Sequence, residues 1–425
     1  MEWIETTVGE FCPFSYGKSL PQSKRIEGDY PVYGSNGIVG FHKEPNIKSH
    51  GIIIGRKGSV GEIHLSLTPF WAIDTSFYTV KESLPELKFT YYLLKTLGLN
   101  AMNSDSAVPG LNRDNAHSVK IKIPKLQSDR EKIAEFLSTF DQKIALNTQT
   151  NQTLEQIAQG IFKHWFIDFA PVHAKANALA RGETIEQAEL AAMACLSGKT
   201  AEKITALKTQ DPTAYHQLQQ TATAFPSEFV ETEMGLVPKG WEVKPLIEQF
   251  DFLGGSQPPK SEHIYEEKEG YIRFIQNRDY ANENHKTYIP ISKKNKICNE
   301  TDILMDKYGE AGKVRFGISG AYNVALAKIE PKNILFKEFL RWYFMQEKTQ
   351  EFLFSSSLAS TRSSLNSKTF IGMNILVPTN NVLSKFNDIS DNYIQHTLNL
   401  RRENRTLSEV RDLLLPKLLN GEIAL

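Results

Sequence analysis

Residues 51–65 of the chain read GIIIGRKGSVGEIHL, and residues 302–316 read DILMDKYGEAGKVRF. The glycines of GRKGSVG, Gly58 and Gly61, align with the two glycines of KYGEAG at an offset of 251 residues. An internal repeat with so long a period indicates that the chain contains two copies of one folded unit. In each copy an apolar segment runs into a glycine-marked turn, which is typical of a strand followed by a loop.

The repeat extends well beyond these two stretches. Further matches occur in the same order along the chain, with offsets between 238 and 254 residues. They pair Trp3 with Trp241, Leu111-Asn112 with Leu365-Asn366, IKIP ending at Pro124 with ILVP ending at Pro378, and the N-x-T-L of residues 151–154 with that of residues 404–407. Two similar domains, each with a similar site, are therefore expected.

The composition is that of an ordinary globular protein with two or three domains. The 425 residues are 40% apolar and 23% charged, and 49 basic side chains balance 49 acidic ones. This neutrality argues against a general basic coat for nucleic acid but leaves room for local basic faces. Cys12, Cys195 and Cys298 form no C-x-x-C pair, and the chain shows no membrane-length apolar run and no signal-peptide layout. We therefore expect a cytoplasmic protein with buried, reduced cysteines.

Both repeat copies have the pattern of α+β domains. Short segments rich in β-branched and aromatic residues alternate with turn formers, and one helix is predicted in each copy, over residues 86–97 and 337–352. The fold class that we predict is α+β, organised in five regions. These are a first domain at 1–125, a long helix at 126–167, a helical insert at 168–240, a second domain at 241–378, and a second long helix with a C-terminal tail at 379–425.

A coiled-coil seam is predicted in both long helices. From Asp129 to Phe166 there is no proline and a single glycine, and two seven-residue rows run with 3–4 spacing. Neither helix can bury its stripe alone, so we expect the two to pair. A stop or kink is predicted at Pro416. The rows are Ile133, Phe140, Asn147, Leu154 and Ile161; Leu137, Ile144, Asn151, Ala158 and Trp165; and, in the second helix, Phe386, Tyr393, Leu400, Leu407 and Leu414.

Three asparagines interrupt this apolar seam. Asn147 and Asn151 lie on it, and Asn404 aligns with Asn151. A buried asparagine lowers stability but fixes the register of paired helices, so we interpret the three residues as register determinants. The alternative is that they face solvent at a loosely packed point.

The insert has no counterpart after the second long helix. Helices are predicted in it at Thr184–Leu196, Ala201–Leu207 and Ala214–Ala224, followed by FPSEFVETEMGLVPKGW at residues 225–241. Its Ala- and Gln-rich composition indicates a spacer or a surface for a partner rather than a catalytic domain.

Motifs for catalysis are missing from the sequence. It contains no GxxxxGK[ST] phosphate loop, no His/Cys spacing typical of zinc, and no nucleophile motif. The glycines of residues 34–40 have the spacing GxxGxxG with no helix pattern after them, so a turn is favoured over a nucleotide site. We predict that this chain has no catalytic residue, no metal and no cofactor.

Short basic and polar loops recur at equivalent places in both copies. Arginine can pair with guanine, asparagine and glutamine can pair with adenine, and lysine and serine can contact phosphates. Any one of these residues is better explained by an ordinary solvated loop, but the recurrence of the set at equivalent places favours contact with nucleic acid. The predicted DNA-binding residues are Asn36, Arg56, Lys57, Ser59, Asn112, Arg113, Gln276, Asn277, Arg278, Lys307, Tyr308, Arg315, Arg362 and Asn366.

The chain resembles the specificity subunits of type I restriction–modification systems over nearly its whole length. The resemblance implies two target recognition domains at opposite ends of two long antiparallel helices, in a pseudo-twofold repeat. Each domain would read one half of a bipartite site in double-stranded DNA. The second domain lacks YGSNG and WAIDTSFY, so the two half-sites should differ. The motifs that carry the resemblance are YPVYGSNGIVGF (30–41), GIIIGRKGSVGEIH (51–64), WAIDTSFY (71–78), AVPGLNRDNAHSVKIKIP (107–124), WFIDF (165–169) and RRENRTLSEVRDLLLPKLLNGEI (401–423).

The same resemblance implies the partners. They are two methylation subunits that use S-adenosylmethionine and, through the assembled complex, restriction and translocation subunits that use ATP and Mg; no membrane is involved. A self-contained adenine methyltransferase would need a glycine-rich cofactor loop and an N/D-P-P-Y/F tetrapeptide, and neither is present in the sequence. A pure protein scaffold is the third hypothesis, and it predicts no sequence-selective DNA binding even with partners present.

Overall fold

The computed structural model describes residues 1–102, 110–281, 285–358 and 364–425. The chain forms two compact units. The first is Met1–Gln149 together with Leu400–Leu425, and the second is Thr150–Asn399. Each unit therefore combines one copy of the sequence repeat with a stretch of each long helix.

The first copy of the repeat begins with short strands and ends in a long helix. Its predicted helix at residues 86–97 is confirmed as α2, which begins two residues earlier because the Ser83 side chain accepts a hydrogen bond from the Glu86 N–H and Pro85 lies in the first turn. The elements are β1 (Trp3–Thr7), α1 (Val8–Phe11), β2 (Ser15–Tyr16), β3 (Tyr30–Gly34), β4 (Gly37–His42), β5 (Gly51–Gly55), β6 (Ile63–Ser66), β7 (Trp71–Ala72), β8 (Ser76–Thr79), α2 (Leu84–Thr96), α3 (Arg113–His117), β9 (Lys120–Pro124) and α4 (Gln127–Phe166).

The strands of the first unit form two sheets and one strand pair. One sheet has the antiparallel order β2-β8-β5-β6, the other has the order β4-β3-β7, and β1 pairs with β9. Strand β5, the GIIIG of the repeat, is buried at all five positions. Ile52 and Ile54 enter one apolar cluster and Ile53 enters another. This is the environment that a continuous β-branched run favours.

The remainder of the chain contains the insert, the second copy and the second long helix. Its elements are α5 (Ala170–Ala180), α6 (Ile185–Ser197), α7 (Ala201–Gln210), α8 (Pro212–Ala224), β10 (Phe229–Thr232), β11 (Gly235–Pro238), β12 (Glu242–Pro245), β13 (Phe250–Gly254), β14 (Tyr271–Ile275), β15 (Thr287–Pro290), β16 (Ile297–Cys298), β17 (Ile303–Asp306), β18 (Val314–Arg315), β19 (Gly320–Tyr322), β20 (Leu326–Pro331), α9 (Lys337–Met345), α10 (Glu347–Leu358), β21 (Asn374–Val377) and α11 (Asn380–Leu419).

The second unit repeats the strand topology of the first. Its sheet β13-β20-β17-β18 corresponds strand for strand to β2-β8-β5-β6, and its pair β12–β21 corresponds to β1–β9. A third sheet, β15-β14-β19-β16, matches β4-β3-β7 with one strand added. Strand β17 is buried at all four positions, as β5 is. The predicted α+β repeat is therefore confirmed.

The long helices pair within each unit. In the first unit Asn147 of α4 contacts Asn404 of α11, and Asp141 of α4 contacts Arg411 of α11. The earlier residue of α4 thus contacts the later residue of α11, so the pairing is antiparallel. In the second unit the last turns of α4 pack on the first turns of α11, where Phe386 meets the rings of Phe162, Trp165 and Phe166. All the residues of the three predicted heptad rows are buried or half-buried. The predicted seam is therefore confirmed.

Two details of the helices differ from the prediction. The helix predicted at residues 337–352 is divided at Gln346, where the backbone becomes extended. The break lets Trp342 and Leu353 enter the same core. Helix α11 does not stop at Pro416 but continues to Leu419. It continues because Leu418 and Leu419 on the far side of the proline are buried in the core of the first unit, which offsets the lost backbone donor.

The insert contains more structure than the sequence predicted. The three predicted helices are present as α6, α7 and α8, and α5 precedes them. After them, β10 and β11 form an antiparallel hairpin whose turn contains Gly235 at a φ of 90°. Across the described ranges, every helix is either too short or too polar to traverse a bilayer.

Candidate nucleic-acid interface

The loop after β5 is held by backbone hydrogen bonds from three sides. The N–H groups of Arg56 and Lys57 both donate to the carbonyl of Thr75, at 3.0 Å, and the Gly61 N–H donates to the Gly55 carbonyl at 2.8 Å. The Arg56 carbonyl in turn accepts from the Leu111 N–H at 2.9 Å. These bonds bring the basic pair Arg56-Lys57 beside the segment that leads into α3.

Glycine is required at the end of this loop. Gly61 has a φ of 73°, and a Cβ there would lie 2.2 Å from the backbone nitrogen of Asn100. A side chain at this position would force the loop away from the segment after α2. The glycine that marked the repeat in the sequence therefore sets how closely the basic loop lies against the rest of the unit.

The same loop is built again in the second unit. The Lys307 N–H donates to the Ala325 carbonyl at 2.8 Å, the Gly312 N–H donates to Asp306 at 2.9 Å, and the Lys307 carbonyl accepts from the Leu365 N–H at 3.1 Å. Each of these three bonds has a counterpart in the first unit, namely the bonds from the N–H groups of Arg56, Gly61 and Leu111. Lys307 and Tyr308 therefore occupy the places of Arg56 and Lys57.

In the first unit the structure brings Arg56 and Arg113 to one aromatic ring. The Cζ atoms of both arginines lie 5.0 Å from the ring centroid of Tyr16, which is 51% exposed. Arg56 also donates from Nη1 to the Asp74 carbonyl at 3.0 Å, and Arg113 lies 3.7 Å from the carboxylate of Asp114. Two cations separated by 57 residues of chain thus share one neighbour at the surface.

Tyr16 was not among the residues that the sequence predicted. A signal for it exists, because Gly17 and Gly255 repeat at the offset of 238 that also relates Trp3 to Trp241. The structure makes the two glycines equivalent, since Gly17 donates to the Ser76 carbonyl and Gly255 to the Leu326 carbonyl, both at 3.0 Å. The residue before each glycine is therefore at an equivalent place, and there the second unit has Gly254 instead of tyrosine.

The other predicted residues of the first unit lie around this cluster with different exposure. Asn36 is exposed in the turn between β3 and β4, and Lys57 is exposed. Ser59 is half-buried, and its carbonyl oxygen lies 2.0 Å from the position that a Cβ on Gly55 would take. The turn at residues 34–37 confirms the preference for a turn over a nucleotide loop in that glycine-rich stretch.

Asn112 and Asn366 have a local structural role in both units. The Asn112 Oδ1 accepts from the Asp114 N–H at 2.9 Å and caps α3, and the Asn366 Oδ1 accepts from the Lys368 N–H at 2.9 Å and caps the 3-10 turn Ser367–Phe370. The leucine before each asparagine is buried in the core. The repeated Leu-Asn is therefore a core anchor followed by a cap, and both asparagines remain exposed.

Two predicted DNA-binding residues of the second unit are bound to a buried carboxylate. Asp306, which is 1% exposed, accepts from the Nδ2 of Asn277 at 2.9 Å and from the Nη2 of Arg315 at 2.7 Å. Arg315 also reaches Glu310 at 2.6 Å, and its side chain is only 13% exposed. Burial raises the pKa of the Asp306 carboxyl, and the neighbouring guanidinium opposes that rise. Asn277 and Arg315 therefore stabilise the interior of this unit.

The remaining predicted residues of the second unit are more accessible. Arg278 lies in the 3-10 turn Asn277–Tyr280 with 57% of its side chain exposed, and Gln276 donates to the Thr287 hydroxyl at 3.3 Å. Tyr308 is 41% exposed, and its ring centroid lies 5.7 Å from the Lys307 Nζ. Arg362 lies outside the described residues.

The seam asparagines form a polar layer in the first unit. Asn147, 2% exposed, donates from Nδ2 to the Oδ1 of Asn404 and to the Oε2 of Glu403, each at 2.9 Å. Asn404 donates to the carbonyl of Ile144 at 3.4 Å. Asn147 therefore does not face solvent. Asn151 is half-buried, and its role in register stays a prediction.

All three cysteines are free thiols that are buried or half-buried. Burial raises the pKa of the Cys12 and Cys298 thiols to about 12, so both stay protonated at neutral pH. Cys195 is half-buried, with its Sγ 3.4 Å from the His164 Nε2. No group of three or more His, Cys, Asp or Glu side chains suited to a metal ion occurs among the residues that the structure describes.

Comparison with known proteins identifies the family. The model of the type I restriction modification DNA specificity domain matches residues 1–156 and 238–405. The chain belongs to this family. The two matched ranges each contain one copy of the repeat, and the residues between them contain most of the insert.

Individual members of the family extend the match over most of the chain. The HindI specificity subunit of Haemophilus influenzae is 34% identical over 382 residues, which are 83% of this chain and 81% of that protein. The MjaIX specificity subunit of Methanocaldococcus jannaschii is 25% identical over 392 residues, which are 88% and 77% of the two chains. A crystal structure of the S subunit of a type I restriction–modification system from M. genitalium matches with a TM-score of 0.52 and 17% identity, covering 99% of this chain and 96% of that one. At that identity the match supports the fold.

Proposed function

We propose that this chain supplies DNA sequence specificity to a cytoplasmic type I restriction–modification complex, and that each repeat reads one half of a bipartite target. The observation that carries the proposal is the duplicated loop. Three matching backbone hydrogen bonds build it in each unit, yet the side chains that it presents are Arg56-Lys57 in one and Lys307-Tyr308 in the other. A conserved backbone with different polar side chains suits two readers of different sequences.

The charge distribution supports this assignment. The chain as a whole is neutral, so attraction to DNA has to come from restricted surfaces. In the first unit Arg56, Lys57 and Arg113 provide three cations beside the exposed Asn36 turn. In the second unit Lys307 and the exposed Arg278 provide cations. We add Arg362 to this set because the sequence analysis predicts it as a DNA-binding residue. The half-sites are expected to differ because these sets differ.

Hydrogen bonds within the protein and burial limit how some of the predicted residues could contact DNA. The Oδ1 atoms of Asn112 and Asn366 cap helical turns, so a contact with a base would use their amide NH2 groups. Asn277 and Arg315 bind Asp306, so we place them behind the surface that meets DNA rather than on it. Gln276 and Ser59 are half-buried and would contact DNA at the edge of the surface.

The long helices and the catalytic partners complete the proposal. We infer that α4 and α11 set the number of base pairs between the two half-sites and provide the surface on which two methylation subunits dock. S-adenosylmethionine, ATP and Mg belong to the partner subunits in this scheme. The chain itself contributes recognition, and no catalysis is assigned to it.

Methylome sequencing of cells that carry this protein with the methylation subunits of its own system tests the proposal. We expect one methylated motif made of two different half-sites with a fixed gap. A symmetric or uninterrupted motif would contradict the assignment of one half-site to each repeat. The variant Arg113→Ala should relax the bases of one half-site while the other half-site and the gap stay as they are.

A further inference from the structure

Tyr16 is an exposed aromatic residue of the first unit with two cationic neighbours. It ends β2, and the residue is 51% exposed. The guanidinium carbons of Arg56 and Arg113 both lie 5.0 Å from its centroid. An exposed tyrosine is ordinary, but this one is approached at the same distance by Arg56 from the loop after β5 and by Arg113 from the start of α3.

A contact with Phe77 holds the ring of Tyr16 in place. Strand pairing places Tyr16 opposite Phe77 of β8, and the two ring centroids are 5.0 Å apart in an edge-to-face arrangement. Phe77 is buried in the core of the unit and also lies 5.8 Å from the Arg56 guanidinium. The aromatic surface that meets the two arginines is therefore anchored to the core.

Two like charges near one ring need an explanation in physical terms. Each guanidinium is attracted to the negative face of the aromatic ring, whereas the two cations repel each other. Long arginine side chains also lose conformational freedom when they are held in place. An arrangement that fixes both cations before an anion arrives removes that entropy loss from the binding step.

We propose that Tyr16 is a positioning residue that holds Arg56 and Arg113 in the orientation in which they contact the DNA of the first half-site. This inference rests on the proposed function, because it names the device by which one reading surface is organised. The aromatic ring carries the effect, so phenylalanine suffices at this position. In the second unit Gly254 takes the place of Tyr16, and the ring near the Lys307 Nζ is instead that of its chain neighbour Tyr308, at 5.7 Å.

The test uses the complex assembled from this chain and its methylation subunits. Its affinity is measured by fluorescence anisotropy for a duplex that contains the methylated motif, with the variants Tyr16→Leu and Tyr16→Phe. We expect Tyr16→Leu to weaken specific binding about tenfold and Tyr16→Phe to bind as the wild type does. Tyr265→Leu in the second unit is the matched control, because that tyrosine is 72% exposed, and its affinity should equal that of the wild type.

A double-mutant cycle separates positioning from a general structural effect. In the background Arg56→Ala with Arg113→Ala, the further change Tyr16→Leu should alter affinity by less than about twofold, because its targets are gone. An undiminished tenfold loss in that background overturns the proposal, and so does a Tyr16→Phe variant as weak as Tyr16→Leu. Thermal unfolding of Tyr16→Leu should match the wild type, and a large fall in its melting temperature would assign the residue to stability instead.

The experiment distinguishes a failure of the proposed DNA surface from a failure of the positioning role of Tyr16. If the double arginine variant binds the motif as tightly as the wild type does, the proposed DNA surface of the first repeat is wrong. If that variant is weakened while Tyr16→Leu binds normally, only the positioning role of Tyr16 is wrong. A methylome from cells with Tyr16→Leu should show relaxed bases in one half-site alone.

Discussion

The two repeats share a backbone but differ in what stabilises the loops that follow β5 and β17. In the first, the strand before the loop ends in Gly55, and the basic residues meet the ring of Tyr16. In the second, the equivalent position is Asp306, whose buried carboxylate binds Asn277 and Arg315. The first loop is thus supported by an aromatic ring at the surface and the second by an ion pair in the interior. The comparison teaches that one duplicated framework can be kept while its polar contacts are rebuilt.

The largest expected effect tests whether the backbone of both repeats excludes a side chain at the glycine that follows β2 and at the one that follows β13. A Cβ on Gly17 would lie 2.0 Å from the Ile73 carbonyl oxygen, and one on Gly255 would lie 1.9 Å from that of Asn323. We expect Gly17→Ala and Gly255→Ala each to lower the free energy of unfolding by about 4 kcal/mol, because backbone has to move in both cases. Urea unfolding of the purified variants measures this.

The controls for this pair are glycines in open space. Gly58 and Gly309 have φ values of 80° and 71° with nothing within 4 Å of an added Cβ. Their alanine variants should lose only about 1 kcal/mol from left-handed strain. A tolerated substitution at Gly17 but not at Gly255 would show that the two frameworks are not equivalent.

The next effect concerns the ion pair of the second repeat. Asp306→Ala leaves the Arg315 guanidinium without its buried partner, so the free energy of unfolding should fall by about 3 kcal/mol. Glu310→Ala removes the exposed partner of the same arginine and should change stability by less than about 0.5 kcal/mol. Thermal unfolding of both variants measures the difference. Equal effects would mean that Arg315 depends on Glu310 as much as on the interior.

A smaller effect separates the two reading surfaces. Arg56→Ala should weaken recognition of one half-site, and Lys307→Ala should weaken recognition of the other, each by about 2 kcal/mol of binding free energy. Binding of the assembled complex to duplexes altered in one half-site at a time measures this. If both variants relaxed the same bases, the assignment of one reader to each repeat would fail.

The smallest effect concerns the polar layer between the long helices. Asn147→Ala removes the side chain that donates to Asn404 and Glu403, and we expect a loss of about 1 kcal/mol in the free energy of unfolding. Leu146→Ala, at a neighbouring position that is 56% exposed, should change it by less than about 0.5 kcal/mol. Chemical unfolding of the two variants side by side tests whether the layer stabilises the pairing.

Sequence periodicity was sufficient for the framework of the molecule. The glycine pairs at Gly58 and Gly309 identified the duplication, and the seven-residue rows identified the helical seam, because both signals are read from the order and spacing of residues without any tertiary contact. Of the stop or kink predicted at Pro416, the stop does not occur, because tertiary packing overrides the local preference. The local preference of proline ends a helix, whereas burial of Leu418 and Leu419 in the tertiary core continues it.

Only part of the candidate DNA interface could be predicted from patterns in the sequence. The sequence placed Arg56, Arg113 and Lys307 on the repeated framework, where their contact with DNA stays a prediction, but it did not separate surface residues from interior ones. Asn277 and Arg315 carry the same chemistry as a DNA contact, and their binding to Asp306 becomes visible only when the strands are assembled. Tyr16 was missed because the repeated residue at this place is the glycine that follows it, Gly17, while the tyrosine itself has no counterpart in the second repeat.

The sequence by itself therefore determined the family, the duplication and the pairing stripes, because these are recorded in spacing and identity along the chain. Tertiary structure decided which polar groups share a neighbour. Arg56 and Arg113 meet at Tyr16 through contacts between residues 40 and 97 positions apart, and a contact of that kind depends on how loops close rather than on local preference.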